Sequence, residues 1–251
     1  MARRFAAEGM ALVMADVERA ALDLAAADLE AGGAPVEAVA TDVTDPDALD
    51  ALRDRAVDRF GAVHVVCNNA GVVTLGMTWE QPLDDWRWVV GVDLWGVIHG
   101  VRAFVPLLIE QGQPAHLVNT ASIAGLVPSP TIAPYNVSKA GVVALSETLD
   151  MELRSAGHPI GVSVLCPGVV PTRIAASGRN RPGGGTDQLD IPSQDELPPT
   201  ARTPDEIAVA VVRAIRADEF WIVTHDGSAK LIDARATAIT GGGRPEPPPV
   251  F

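Results

Sequence analysis

Positive charge, tyrosine, lysine and cysteine are all scarce in this 251-residue chain, and each scarcity excludes something. Lys and Arg number 19 against 32 Asp and Glu, a net charge of −13, so the basic surface that holds nucleic-acid phosphates is missing and no nucleic-acid partner is expected. The two cysteines, Cys67 and Cys166, each end an apolar run and have no His or Cys at metal-ligand spacing. They read as small core residues in a reducing compartment, and no metal is expected. No apolar run reaches the roughly 18 residues of a membrane span, and Met1-Ala2-Arg3-Arg4-Phe5 lacks the apolar stretch of a signal peptide. The expectation is a cytoplasmic protein with no membrane partner.

What is plentiful is apolar surface: 47% of residues are hydrophobic and 20% charged, enough for the core of one α/β domain. That domain is expected over residues 1–240, with a Gly/Pro-rich, frayed tail at 241–251. Apolar strand patterns at 11–15, 36–40, 63–67, 115–121, 160–165 and 220–224 alternate with helical patterns at 18–31, 46–60, 83–110 and 135–155, and a further helix opens at Thr203-Pro204-Asp205-Glu206. Breaks are expected near Gly96 and Gly100, and a kink at Pro106. Residues 172–203, which hold Gly183-Gly184-Gly185 and little hydrophobic period, read as a mobile substrate lid or a disordered insertion. Six strands separated by helices predict a parallel, doubly wound sheet, in which ligands sit at the carboxyl ends of the strands.

The chain is organised around Tyr135-Asn136-Val137-Ser138-Lys139. On a helix, residues four apart share a face, so an ammonium would stand beside a phenol and favour the phenolate, lowering a pKa of about 10. Tyr135 is the only tyrosine, and Lys139 is one of two lysines, the other being Lys230. Other polar clusters fall just past predicted strand ends. Asp16 could accept from the hydroxyls of an adenosine ribose while repelling a 2′-phosphate, which favours NAD over NADP. Asp42-Val43 could flank an adenine, and the tight Asn69-Ala70-Gly71 turn could bring backbone close to a nucleotide. Each of these taken singly is equally well a helix cap or turn residue.

Taken together, Asn68-Asn69-Ala70-Gly71, Asn119-Thr120-Ala121-Ser122, Tyr135-x-x-x-Lys139 and Pro167-Gly168-x-Val170-x-Thr172 resemble the motifs of the short-chain dehydrogenase/reductase family, in its order and spacing and over nearly the whole chain. The resemblance implies a Rossmann-like, three-layer α/β/α fold and hydride transfer between NAD(H) and a secondary alcohol or ketone. By it, Tyr135 is the general acid/base and Lys139 lowers its pKa and holds the nicotinamide ribose. Ser122, thirteen residues before the tyrosine, orients the substrate oxygen, while Val170 and Thr172 hold the carboxamide and phosphates. A homodimer or homotetramer follows from the same resemblance, with 83–110 and the Tyr135 helix as the pairing elements.

Two departures stand out. The family's first strand and Gly-rich phosphate loop are not present ahead of Met1, so roughly twenty residues are expected to be missing and the fold to be N-terminally truncated. Asp93 occupies the place of a usual asparagine; facing Lys139, it would stabilise the ammonium and alter the pH dependence. The first departure keeps open a non-catalytic relative acting as a binding or assembly module. Retention of Ser122, Tyr135 and Lys139 favours the enzyme.

Overall fold

A computed structural model of the chain describes residues 1–184 and 201–248. Strands and helices alternate as the apolar periods predict: α1 (Ala2–Ala7), β1 (Leu12–Asp16), α2 (Arg19–Ala31), β2 (Val36–Ala40), α3 (Pro46–Phe60), β3 (Val65–Asn68), α4 (Leu83–Val90), α5 (Gly96–Gln111), β4 (Ala115–Thr120), α6 (Ile123–Leu126), α7 (Ala133–Ala156), β5 (Ile160–Cys166), α8 (Pro204–Ala217), β6 (Trp221–Val223) and α9 (Ser228–Thr240). A π-helical turn, Gly91–Trp95, joins α4 to α5, and a 3-10 helix, Arg173–Asn180, follows β5. Helices α6 and α9 are additions to the sequence reading; α6 is a single short turn, and α9 buries only Ser228, too little to show as an apolar stripe.

All strand pairs are parallel, but the single sheet expected from the sequence is two: β1 pairs with β2, and β3, β4, β5 and β6 pair in that order. Among the described residues, β1 has no strand partner on its side away from β2, nor β3 on its side away from β4. Shared helical layers hold the two sheets in one body. Alternate side chains of a strand point to opposite faces: Val118 packs with Phe5, Leu12, Leu29, Val36 and Val211 on the side of α1, α2 and α8. Its neighbour Leu117 packs with Leu52, Phe104, Leu108 and Leu153 on the side of α3, α5 and α7. The result is three layers. Each fully buried Val, Leu or Ile contributes on the order of 1.5–3 kcal/mol, so α8, which buries Ile207, Val211 and Val212, is fixed mainly by its apolar stripe. A capping box between Thr203 and Glu206 sets its start.

The helical run Leu83–Gln111 is long and apolar enough by length and composition to cross a membrane; here that apolarity serves the core, through Val89, Val97, Ala103, Phe104 and Leu108. Its irregularity lies at 91–95, ahead of the glycines expected to break it. Gly96 and Gly100 are instead contact points: a Cβ on Gly96 would meet Val43 at 2.7 Å, and one on Gly100 would meet Asn68 Oδ1 at 2.1 Å. Of the three tryptophans on this run, Trp86 and Trp88 are partly buried and Trp95 is exposed.

Candidate active site

Ser122 caps α6 at the carboxyl end of β4, its Oγ accepting from Ala124 N at 3.1 Å. Backbone joins that turn to the end of β5, because Ile123 N donates to Pro167 O at 2.9 Å. Helix α7 begins at Ala133, two residues before the tyrosine, with Pro134 in its first turn. The Asn136 amide stitches this helix to the preceding loop through Ser129 O at 2.7 Å and Ser129 N at 3.3 Å. One helical turn on from Tyr135, Lys139 is 2% exposed. Its Nζ lies 5.3 Å from the Tyr135 ring centroid and donates to Thr120 O at 3.0 Å.

The π-helical turn brings Asp93 to the same place. Its carboxylate is fully buried, with Oδ2 3.2 Å from Lys139 Nζ and Oδ1 accepting from Val72 N at 2.8 Å. Oδ2 makes no directed hydrogen bond, so the contact with the ammonium is an ion pair. Burial pushes the Asp93 carboxyl above its ordinary value, with Lys139 and the Val72 amide pulling it back. Burial pushes Lys139 down, but the Asp93 and Tyr135 charges outweigh it and leave the ammonium more firmly protonated than usual.

Tyr135 departs from the sequence expectation. Desolvation raises the phenol above its ordinary value; Lys139 and a hydrogen bond from Ser122 pull it down, whereas Asp93 pushes it further up. Burial and the carboxylate across from it outweigh the pull of the ammonium four residues away. The thiols behave as expected of core residues: desolvation pushes Cys67 and Cys166 up to about 12. Among the described residues no group of His, Cys, Asp and Glu could hold a metal ion.

The structure therefore gathers Ser122, Tyr135, Lys139 and Asp93, with Gly71 beside them: a Cβ there would lie 3.6 Å from both Asp93 Oδ2 and Lys139 Nζ. The other predicted residues surround this centre at strand ends. Asp16 is exposed at the end of β1, its Oδ1 accepting from Glu18 N at 2.9 Å. Asp42 is committed to a local turn, accepting from Thr44 N and Thr44 Oγ1 at 2.9 and 2.8 Å. Val43 packs near Gly96, and its carbonyl accepts from the His99 ring at 3.0 Å. Asn69 Oδ1 accepts from Thr120 Oγ1 at 3.2 Å, and Ala70 is exposed. Pro167, Gly168 and Val170 form the partly buried turn after β5, and Thr172 caps the 3-10 helix through Ile174 N.

Within the segment expected as a lid, 173–180 forms a 3-10 helix held by side-chain contacts. Arg179 and Asn180 bond Glu18, which lies two residues beyond Asp16, and Arg173 pairs with Glu18 at 3.5 Å. The buried Ser177 hydroxyl accepts from Val73 N at 3.1 Å and lies 3.3 Å from Val73 O. Arg181 pairs with the buried Asp85. Residues 185–200 of the same expected lid lie outside the described residues. Sequence reasoning missed Glu18, Ser177 and Arg179, whose distant partners are 104 to 162 residues away and leave no local signal.

A ribosyl cofactor finds fitting groups here: an exposed carboxylate at the end of β1, a side-chain-free position at Gly71 beside a buried ammonium, and backbone at the turn after β5. Residues 1–182 match the short chain dehydrogenase family model. Among curated relatives, 1-deoxy-11-beta-hydroxypentalenate dehydrogenase of Streptomyces exfoliatus is 39% identical over 236 residues, 93% of this chain and 81% of that protein. The CLA biosynthesis dehydrogenase/reductase of Lactiplantibacillus plantarum is 31% identical over 249 residues, 95% and 87% of the two chains. A short chain dehydrogenase/reductase from Burkholderia phymatum, solved in complex with NAD, superposes with a TM-score of 0.93 at 40% identity, covering 100% of this chain and 92% of that one. These matches run over almost the whole chain and have no bearing on what would precede Met1. With its three-layer parallel fold and strand-end site, the chain belongs to the short-chain dehydrogenase family of oxidoreductases.

Proposed function

We propose that the protein is an NAD-dependent dehydrogenase of secondary alcohols, or a reductase of the matching ketones, with Tyr135 as its general acid/base. The observation that carries this reading is the buried Lys139 ammonium held beside Tyr135 and Ser122 at the carboxyl ends of β4 and β5. NAD, when bound, accepts or supplies the hydride. Asp16 would accept from the adenosine ribose hydroxyls, and its charge selects against a 2′-phosphate. Asn69, Ala70 and Gly71, together with Asp42 and Val43, would line the nucleotide; Pro167, Gly168, Val170 and Thr172 would face the nicotinamide end.

Ser122 orients the substrate oxygen toward Tyr135 Oη. In alcohol oxidation Oη takes the hydroxyl proton, and in ketone reduction it returns one. Lys139 stabilises the charge that then develops on the phenol. Asp93 touches neither substrate nor reacting atoms; it positions and neutralises Lys139. The hydroxylated compound in the name of the Streptomyces relatives supports an alcohol as the reduced partner. The exposed Leu83, Trp95, Val137 and Met151, on adjoining elements α4, the π-helical turn and α7, support pairing with a second copy.

Nicotinamide reduction by the purified chain with a panel of secondary alcohols tests the proposal. Tyr135→Phe should lower kcat by roughly 10²–10⁴-fold while NADH binding persists. Turnover unaffected by that change would remove Tyr135 from the chemistry. Absence of any nicotinamide binding would favour the binding-module alternative.

A further inference from the structure

The turn after β5 is held by a residue that neither the motifs nor the comparisons single out. His225 follows β6 and is 9% exposed. Its Nδ1 accepts from Gly168 N at 2.9 Å and its Nε2 donates to Val169 O at 2.9 Å, so both ring nitrogens are spent on consecutive residues of one turn. Accepting at Nδ1 requires the tautomer that carries its proton on Nε2. Thr224 Oγ1 lies 2.8 Å from the same Nδ1.

The fit is close enough to exclude a side chain at Gly168, where a Cβ would lie 2.9 Å from the imidazole. Val169 O also accepts from Arg202 N at 3.2 Å, and Arg202 pairs with Asp226 at 3.0 Å. The dipeptide His225-Asp226 thereby grips the chain where it leaves β5 and where it returns before α8.

We infer that His225 is a positioning residue for the nicotinamide end of the cofactor site: its two ring bonds fix the peptide planes of Gly168 and Val169 and so aim the backbone at Val170. Cross-bonding from a separate element restrains the turn before anything binds, and a preformed site avoids the ordering cost of binding. The inference rests on the cofactor reading above and is separable from it, because only half of the dinucleotide should sense His225.

The experiment is a fluorescence titration with NADH and a calorimetric titration with ADP-ribose, which has the adenosine half and no nicotinamide, on the wild type, His225→Ala and His225→Asn. Losing both ring bonds should raise the NADH Kd by about tenfold and leave the ADP-ribose Kd within about twofold. His225→Asn keeps an acceptor for Gly168 N and cannot reach Val169 O, so it should fall between. An equal loss for both ligands, or none for either, overturns the inference. If His225→Ala does not fold, as judged by circular dichroism, His225→Asn decides by the same comparison. A wild type that binds neither ligand overturns the cofactor reading itself.

Discussion

Asp93 Oδ2 stands 3.2 Å from Lys139 Nζ with both side chains withdrawn from water. Mutual attraction offsets part of the desolvation of such a buried pair, and breaking it by removing one partner typically costs about 3–5 kcal/mol. Its second consequence concerns Tyr135, which the Asp93 charge pushes toward the protonated form.

Asp93→Asn should therefore do two things. Removing the carboxylate lets Tyr135 ionise more easily, so the acidic limb of the alcohol-oxidation profile moves to lower pH while Lys139 stays held by Thr120 O. Uncompensated burial of the ammonium should lower unfolding free energy by about 3 kcal/mol. The dependence of kcat/KM on pH and a urea melt measure the two effects. An unmoved acidic limb would show that the carboxylate is electrostatically silent at Tyr135.

Glu18 ties the 3-10 helix after β5 to the end of β1. Its hydrogen bonds from Arg179 and Asn180 hold the carboxyl down at about 2. With its folded value depressed, the stabilisation is present above the ordinary 4.5 and is lost as pH falls toward about 2. Glu18→Gln should cost about 1 kcal/mol at most, since the pair is partly solvated, and should speed proteolytic cutting within 173–184. Unchanged cutting rates would mean that Ser177 and Arg181 suffice to hold the segment.

His116 adds a slope of the same sign at higher pH. It is buried, with Nε2 2.7 Å from Ser163 Oγ, which in turn donates to Glu219 O. Desolvation lowers its pKa despite Asp218 at 3.8 Å. The unfolded chain then binds the proton more readily than the native one, so stability is full above about 6.5 and declines as pH falls below it. Urea unfolding from pH 8 to pH 5 should show that slope in the wild type and a shallower one in His116→Gln.

Gly100 is pressed against Asn68, whose amide donates to Asn119 Oδ1 at 2.8 Å; Asn119 in turn donates to Ser146 Oγ at 3.0 Å. Gly100→Ala places a methyl 2.1 Å from Asn68 Oδ1, and relief must come from the strand end or from α5. A destabilisation of about 1–3 kcal/mol is expected, despite the better helix propensity of alanine. A thermal melt equal to the wild type would show that α5 shifts freely.

Much of this was legible in the residues. Apolar periods of 2 and 3.6 placed all six described strands and the long helices. The order of Asn69, Ser122, Tyr135, Lys139 and Gly168 along those elements pointed to one strand-end site, because in a parallel sheet every strand delivers its carboxyl end to the same edge. What the sequence by itself determined was which groups could meet. Tertiary structure decided the terms on which they meet. Burial reversed the direction of Tyr135, a π-helical turn swung Asp93 onto Lys139, and β1 and β2 formed a sheet separate from the other four strands. His225 reached Gly168 from 57 residues away. Such contacts depend on desolvation and on pairing between distant segments, neither of which is written in local spacing.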